Sequence, residues 1–301
     1  MNISWVKWAS VVLGCGILYV SAINAYLQDH RLKVAVLDVG EGDALLIETP
    51  YKQRIVIDTG PGEASSYGVG AMSLPFNHTV GLLVLSHPDA DHIGGAAAMI
   101  RSFAVQRIIT LGPDSVDAGK SGAWKMLWDT IAAAPQKPEL ITPMGRITVT
   151  LDHTVTLSLS APALPEAKPT DYNDYSIAAL LTYQGRMILS AGDASNTEES
   201  WIADEAGKPV DVLKVSHHGS KYSTANDFLA RIAPRVAIIS VGRNTFGHPS
   251  PLTLARLAAH NIAVYRTDEE GPVVLFINSV ITVSADCLGF SPLCLRHLTT
   301  L

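Results

Sequence analysis

The chain is 301 residues long, and 48% of its residues are hydrophobic while 17% are charged. This globular composition excludes an intrinsically disordered protein. The 22 Lys and Arg residues against 28 Asp and Glu residues give a formal charge of −6, which excludes a protein that binds nucleic acid through overall basicity alone. The mean hydropathy is +0.22, and the surplus of apolar residues is concentrated at the N-terminus.

The first predicted element is an uncharged apolar helix at residues 8–27. About 20 helical residues reach roughly 30 Å, enough to cross a bilayer, so we predict a membrane anchor within residues 1–32. Two other interpretations stay open. One is a cleavable export signal with small residues at 20–22, and the other is a lipoprotein signal ending at Cys15. The flanking charges are nearly balanced and do not fix an orientation.

Residues 33–285 are predicted to form one domain of strands and helices. Predicted strands are short β-rich runs bounded by Gly, Pro and Asp, and they lie at 33–40, 44–49, 54–60, 80–87, 106–112, 146–151, 155–161, 176–183, 186–192, 211–217, 236–242, 273–277 and 280–285. Predicted helices lie at 96–103, 122–134, 197–206, 224–232 and 251–260. Two strand-rich halves that each carry helices predict two sheets packed face to face with the helices outside.

The cysteines provide no CxxC motif for a metal. Cys287 and Cys294 lie seven positions apart in the predicted tail, residues 286–301. The two thiols would pair if the tail is exported into an oxidising compartment. Two free thiols are the other interpretation that the sequence leaves open.

One loop carries four potential metal ligands within six positions. His87, Asp89, Asp91 and His92 follow directly after an apolar strand that ends at Leu85. Imidazole and carboxylate are the ligand mixture of a divalent-cation site. A tight turn after a strand can aim such closely spaced side chains into one cavity, so this loop predicts a metal centre.

Further candidates stand at the ends of other apolar strands: Asp193, His217, His218 and His248. Strand ends along one edge of a sandwich lie close in space, and loops there often hold functional groups. We therefore predict that these side chains join the first loop in one site. A purely structural role remains open for each, namely a turn at Asp193, packing of one histidine of the pair, and a loop cap at His248.

Seven motifs span most of the chain after the N-terminal helix, and they lie at 37–44, 57–61, 86–95, 173–176, 191–193, 215–220 and 247–250. In this order they resemble the motifs of the metallo-β-lactamase superfamily. Within that superfamily they resemble the C-terminal hydrolase domain of ComEC-type competence proteins. The resemblance implies an α/β fold, the αββα sandwich of two packed mixed sheets, with a dinuclear metal site at the sheet edge.

The resemblance also assigns roles to individual residues. Ligands for two divalent metal ions would be His87, Asp89, Asp91, His92, Asp193 and His217. Asp193 would bridge both ions, and His218 is the alternative to His217. Asp58 would orient ligands from outside the coordination sphere.

Two positions depart from the pattern of the superfamily. Asp89 stands where most members have His, and Asn173, followed by Asp174, stands where many have a further His. We assign Asn173 a supporting role beside the ligands. Both changes replace nitrogen with oxygen and favour a harder cation, so Zn²⁺, Mn²⁺ and Mg²⁺ all stay open.

The resemblance implies a metal-dependent hydrolase, most simply a phosphodiesterase or nuclease that acts on DNA through a metal-bridged hydroxide. Asp91 is predicted to be catalytic, and either His248 or His218 to protonate the leaving oxygen. Predicted contacts to neighbouring phosphates come from side chains beside the motifs: Lys214, Lys221, Arg243 and Asn244. Two alternatives are hydrolysis of a small ester, lactone, lactam or cyclic nucleotide, and a non-catalytic, membrane-associated DNA-binding module.

The resemblance also bears on partners and location. ComEC-type proteins carry a channel of many helices, whereas this sequence has a single candidate span. The protein therefore either works beside a separately encoded DNA-uptake channel or has a different role, and the sequence leaves both open. We expect the catalytic domain to lie outside the cytoplasm, tethered by the N-terminal helix or secreted after signal cleavage. A nuclease on the cytoplasmic face would threaten the DNA of the cell itself.

Overall fold

A computed structural model describes residues 3–73, 77–116, 121–163, 171–285 and 298–300. Its strands are β1 (Leu32–Val36), β2 (Leu45–Glu48), β3 (Arg54–Ile57), β4 (Thr79–Val80), β5 (Leu82–Val84), β6 (Ala104–Val105), β7 (Arg107–Ile109), β8 (Glu139–Ile141), β9 (Gly145–Leu151), β10 (Val155–Ala161), β11 (Ala178–Tyr183), β12 (Arg186–Ser190), β13 (Val212–Lys214), β14 (Val236–Ile239), β15 (Ala263–Arg266), β16 (Val273–Ile277), β17 (Ile281–Ala285) and β18 (Leu298–Thr300).

The α-helices of the same ranges are α1 (Ile3–Gln28), α2 (Ala64–Ala71), α3 (Ala90–Ile93), α4 (Ala96–Ser102), α5 (Gly122–Ala133), α6 (Glu199–Ala206), α7 (Asn226–Ile232), α8 (Pro251–Ala259) and α9 (Thr267–Glu270). Short 3₁₀ turns lie at Pro113–Ser115, Asn173–Tyr175 and Ser216–Gly219.

Two large mixed sheets organise these elements. The first has the strand order β18-β17-β16-β1-β2-β3-β5-β7-β8, and the second β15-β14-β13-β12-β11-β10-β9, beside a short β4-β6 pair. Strands β3, β5 and β7 run parallel, as do β12, β13, β14 and β15. Each sheet therefore has a parallel block whose carboxyl ends lie at one edge.

The two sheets pack face to face through alternate side chains of their strands. On β1, Leu32 and Val34 enter the core between the sheets, where they join Val236 and Ile238 of β14. Ala35, the residue after Val34, faces the opposite side of the first sheet. This period of two is what a strand buried on both faces requires.

Helices cover both outer faces. Met99 of α4 and Trp124 of α5 pack on the first sheet, while Ile202 of α6, Phe228 of α7 and Leu257 of α8 pack on the second. The order helix, sheet, sheet, helix confirms the predicted αββα sandwich.

Helix α1 stands apart from the sandwich along most of its length. Its segment Lys7–Gln28 is long and apolar enough to cross a membrane, and only 6% of that window is buried. Large apolar side chains such as Leu13 and Leu18 are exposed along it. The helix could therefore anchor the protein in a membrane.

The last turn of α1 is attached to the sandwich by a group of polar side chains, which we call the helix-foot cluster: Tyr26, Asp29, Lys33, Glu48 and Lys52. The Tyr26 hydroxyl donates a hydrogen bond to Glu48, and Lys33 Nζ lies 3.2 Å from Glu48 Oε1 and 3.3 Å from an oxygen of Asp29. Lys52 Nζ lies 4.4 Å from the centre of the Tyr26 ring. Because Tyr26 is buried, the helix end is fixed to strands β1 and β2.

Several elements of the structure were not predicted from the sequence. Helix α2 has the sequence ASSYGVGA, whose Gly and Ser residues have poor helix propensity. Strands β8 and β15 are short and only partly buried, so they lack the apolar run that marks a strand. Cys287 and Cys294 lie outside the described residues.

Candidate metal centre

The predicted site residues follow the strands whose carboxyl ends share one edge of the sandwich. Asp58 follows β3, and His87 follows β5, while Asp193 and His218 follow β12 and β13. Ligand atoms of four residues lie within 4.8 Å of one another: Asp91, His92, Asp193 and His218. The two sheets therefore each contribute to one compact cluster of carboxylates and imidazoles.

Asp58 holds His92 in place. Its two carboxylate oxygens accept hydrogen bonds from the backbone N–H and the hydroxyl of Ser86, each at 2.7 Å, and Oδ2 lies 2.9 Å from His92 Nδ1. The opposite nitrogen, His92 Nε2, is 3.1 Å from Asp193 Oδ1. In a metal-binding histidine, a carboxylate usually accepts a hydrogen bond from one ring nitrogen and thereby orients the other nitrogen towards the cation.

His87 places a buried imidazole beside the cluster, with its ring centre 4.1 Å from that of His92. Its Nδ1 lies 3.0 Å from the Ser86 hydroxyl, while its Nε2 is buried and has no hydrogen-bond partner among the described residues. Burial, helped by the nearby charge of His92, lowers the pKa of His87 to about 4. Its imidazole is therefore neutral at pH 7, with a lone pair available for a cation.

Asp91 joins the cluster from the start of α3. Its Oδ2 lies 3.3 Å from His218 Nε2, and its backbone oxygen accepts the N–H of Asp43. A Cβ at Gly42, where φ is +148°, would lie 2.4 Å from that same oxygen of Asp91. Glycine at position 42 thus permits the approach of the 37–44 loop to the metal-binding loop. Asp89, predicted as a ligand, lies outside the four-residue cluster.

The histidine pair lies on left-handed backbone, with φ of 50° at His217 and 51° at His218. Such a conformation is uncommon for residues other than glycine and often marks a functional site. His218 Nδ1 is 3.0 Å from the carbonyl oxygen of Ser240, which turns Nε2 towards Asp91. His217 Nε2 is 3.8 Å from Asp193 and partly exposed. The structure therefore places His218 deeper in the cluster than His217.

Nearby carboxylates raise the pKa values of two buried histidines in the cluster. Burial alone would lower the pKa of His218, but Asp193 and Asp43 outweigh it and raise that pKa to about 10. Likewise Asp193 and Asp58 raise the pKa of His92 well above its usual value despite burial. A cluster that stabilises positive charge on two buried imidazoles has the negative potential that a divalent cation needs. The described residues therefore fit a metal ion.

A family model described as the metallo-beta-lactamase superfamily matches residues 37–243. The chain belongs to this superfamily. It is 28% identical to ComE operon protein 3 of Bacillus subtilis over 86% of this chain and 34% of that protein. It is 27% identical to competence protein ComA of Neisseria gonorrhoeae over 88% of this chain and 34% of that protein. The chain thus spans about a third of the length of these relatives, and the predicted resemblance is confirmed.

A solved structure supports the same fold. Zn²⁺-bound PqqB from Methylobacterium extorquens is 10% identical and superimposes with a TM-score of 0.53, covering 81% of this chain and all of PqqB. At this identity the likeness concerns the fold alone. The superfamily fold and the His and Asp clusters together indicate a metal-binding hydrolase scaffold.

Two residues behind the ligands were not recognised as a pair from the sequence. Asp43 is buried and forms an ion pair with Lys214, and its Oδ1 lies 3.4 Å from His218 Nδ1. Lys214 was predicted at a phosphate-contacting rim, which is wrong because the side chain is buried beneath the cluster. The sequence did contain a signal for this pair, because Lys214 lies inside strand β13, which is fully buried. A buried charge requires a partner of opposite charge.

Ser176 is a further residue to which the sequence assigned no role of its own. Its hydroxyl accepts the backbone N–H of Asp193 at 3.1 Å and lies 3.3 Å from His87 Nδ1, so it connects ligands from both sheets. Asn173, predicted to support the site, begins the turn that leads to Ser176. The Asn173 Oδ1 atom is buried without a hydrogen-bond partner in the described chain.

The outer rim carries the remaining predicted residues. His248 Nδ1 lies 3.0 Å from Glu41 Oε1, and its ring centre is 5.5 Å from that of His217. Lys221 and Arg243 are exposed. The side chain of Asn244 instead makes hydrogen bonds within its own loop, so the structure gives it a role in shaping the rim.

Proposed function

We propose that the protein is a metal-dependent phosphodiesterase that cleaves DNA at the sandwich edge. The observation that carries this proposal is the compact cluster of Asp91, His92, Asp193 and His218. Divalent cations bound by such residues activate water and neutralise the charge that develops on a phosphodiester. Similarity to a protein named competence protein ComA supports DNA as the substrate.

The residues around the cluster then have separate roles. Asp91, His92, Asp193 and His218 would hold the cations, together with the orphaned Nε2 of His87. His217 and Asp89 lie beside them as further candidate ligands. This mixture of nitrogen and oxygen donors accepts Zn²⁺ or Mn²⁺, and Mg²⁺ if oxygen donors dominate.

His248 is our proposed proton donor to the leaving oxygen. Glu41 accepts a hydrogen bond at Nδ1 of this imidazole, which leaves Nε2 for the substrate. General acids of this type must stand within hydrogen-bond reach of the departing atom. The position of His248 at the rim, next to His217, suits that requirement.

The location and context are part of the same proposal. We propose that residues 1–32 anchor a hydrolase domain of residues 33–285 outside the cytoplasm, where it acts on incoming DNA beside a separately encoded channel. The exposed apolar length of α1 supports the anchor, and the competence relatives support the context.

The test is a DNA digestion assay on the purified full-length chain, combined with elemental analysis of its bound metal. We expect cleavage with at least one of Mn²⁺, Zn²⁺ and Mg²⁺, its loss with a chelator, and its return when metal is restored. Asp91→Asn should abolish cleavage, whereas Asp129→Asn, on the exposed face of α5, should leave it unchanged. DNA that stays intact with every metal would overturn the proposal, and hydrolysis of an ester, lactone, lactam or cyclic nucleotide would identify the alternative enzyme.

A further inference from the structure

We propose that the rim of the metal centre binds single-stranded nucleic acid by stacking unpaired bases on Phe246, with Tyr222 as a second platform. This inference rests on the proposed phosphodiesterase function for its substrate class. The expected selectivity is for single strands over duplexes, and the side chains of Phe246 and Tyr222 determine it.

The exposure and position of these rings are the first observation. Four aromatic side chains in the described parts of the sandwich are more than half exposed: Tyr51, Tyr67, Tyr222 and Phe246. Two of the four, Tyr222 and Phe246, lie on the loops that carry the histidine pair and His248. Phe246 is 76% exposed, although it has no polar group that would favour contact with water.

The Phe246 ring continues a row of rings that leads to the cluster. Its centre lies 5.8 Å from that of His248, with 30° between the two planes. The His248 ring lies 5.5 Å from His217 and 6.2 Å from His218. A base stacked on Phe246 would therefore belong to a nucleotide close to the phosphate held at the cluster.

The loop of Phe246 is held in shape before any ligand arrives. Asn244 Oδ1 accepts the backbone N–H groups of Phe246, Gly247 and His248 at 3.1, 2.9 and 3.0 Å. Asn244 Nδ2 donates to the carbonyl oxygens of Gly242 and His248 at 2.9 and 2.8 Å. An apolar ring kept exposed on a preorganised loop loses little entropy when a base covers it.

The charge around the rings complements a nucleic-acid backbone. Lys221 Nζ lies 4.9 Å from the centre of the Tyr222 ring, and Arg243 is exposed three residues before Phe246. Neither cation has a carboxylate partner within 4 Å among the described residues. Aromatic platforms interleaved with free Lys and Arg are how proteins bind single strands without sequence preference.

Selectivity for single strands follows from the geometry of stacking. In a duplex the faces of each base are covered by neighbouring bases, so Phe246 could reach one only after unstacking. An unpaired base presents its face freely. We therefore expect tight binding of single-stranded DNA and weaker binding of a duplex with the same sequence.

The test measures binding without cleavage. Fluorescence anisotropy would follow a labelled single-stranded oligonucleotide, using the full-length chain with Asp91→Asn as the parent. Adding Phe246→Ala should raise Kd about 10-fold, because stacking on one aromatic side chain is worth about that factor. Phe246→Trp should retain tight binding, and Tyr67→Ala, an equally exposed ring on α2, should change nothing.

An oligonucleotide with one abasic position supplies a second comparison. At the position opposite Phe246 the abasic site should weaken binding to the parent but add little to the defect of Phe246→Ala. A Kd that is unchanged by Phe246→Ala, or a duplex that binds as tightly as the single strand, would overturn this inference while leaving metal-dependent cleavage untouched. Absence of cleavage by the unmodified chain, with the Phe246 effect intact, would instead overturn the proposed function.

Discussion

The two halves of the metal centre are built differently. On the first sheet, Asp58, His87 and His92 are almost fully buried, and hydrogen bonds through Ser86 fix their orientation. On the second sheet, His217 lies on left-handed backbone and is partly exposed, next to the rim loop that Asn244 holds in shape. The first half therefore encloses its ligands, whereas the second half combines the buried ligands Asp193 and His218 with an exposed side that can meet a substrate.

Asp193 joins the two halves, so its replacement should have the largest effect. Its oxygens lie 3.1 Å from His92 and 3.7 Å from His218. Asp193→Asn should reduce kcat/KM by more than the roughly 100-fold that loss of an outer partner causes, with loss of bound metal in elemental analysis. Asp204→Asn, exposed on α6, is the matched control. Retention of full metal content by Asp193→Asn would contradict the bridging role.

The ion pair beneath the cluster should dominate stability. Lys214→Met leaves the charge of Asp43 buried without its partner, and breaking such a pair costs about 3–5 kcal/mol. The free energy of unfolding in urea would measure this loss. The double variant Asp43→Asn with Lys214→Met should recover part of it, since no unpaired charge then remains. Equal stability of the single and double variants would show that the pair is not coupled.

Replacing Asp58 tests the part of the metal centre on the first sheet by itself. Asp58→Asn removes the negative partner of His92 Nδ1 without touching the rim, so we expect metal affinity to fall about 10- to 100-fold. Titration of the metal-free protein would measure the affinity. The comparison change at the rim, Glu41→Gln, should leave affinity within about twofold, because among the described residues Glu41 contacts His248 rather than the four-ligand cluster.

Proton release on metal binding should distinguish His218 from His87. In the metal-free protein the pKa of His218 is raised to about 10, so at pH 7 its imidazole is protonated and must lose a proton to bind a cation. The pKa of His87 is lowered to about 4, so that imidazole releases none. Metal affinity should therefore fall as the pH falls, about tenfold per pH unit for each released proton. Calorimetry in buffers of different ionisation enthalpy would count these protons, and His218→Gln should release one fewer.

The smallest effect is expected for Glu41→Gln on turnover. Because the amide still accepts a hydrogen bond from His248, kcat should fall by less than about 10-fold, well below the contribution of a general acid itself. The change should leave KM unaltered. A loss as large as that of His248→Ala would show that the charge of Glu41, rather than its hydrogen bond, is required.

Much of the fold was predictable because its strands are apolar on both faces and bounded by turn residues. The strands that carry Asp58, His87 and Asp193 lie where the sequence predicts them, since continuous apolar runs leave little ambiguity. Helix α2 and the edge strand β15 were missed because their sequences lack a periodic apolar pattern. Local sequence also could not show that Lys214 reaches Asp43, since the ion pair joins residues 171 positions apart.

The helix-foot cluster and the metal centre lie at opposite ends of β1. Tyr26 is fixed at the start of β1, whereas the loop that follows the carboxyl end of β1 reaches the cluster through Asp43. The five residues of β1 at about 3.3 Å each set a rise of roughly 17 Å between the two ends. With α1 in a bilayer, the attachment at the helix-foot cluster would keep a fixed spacing between the lipid surface and the metal centre.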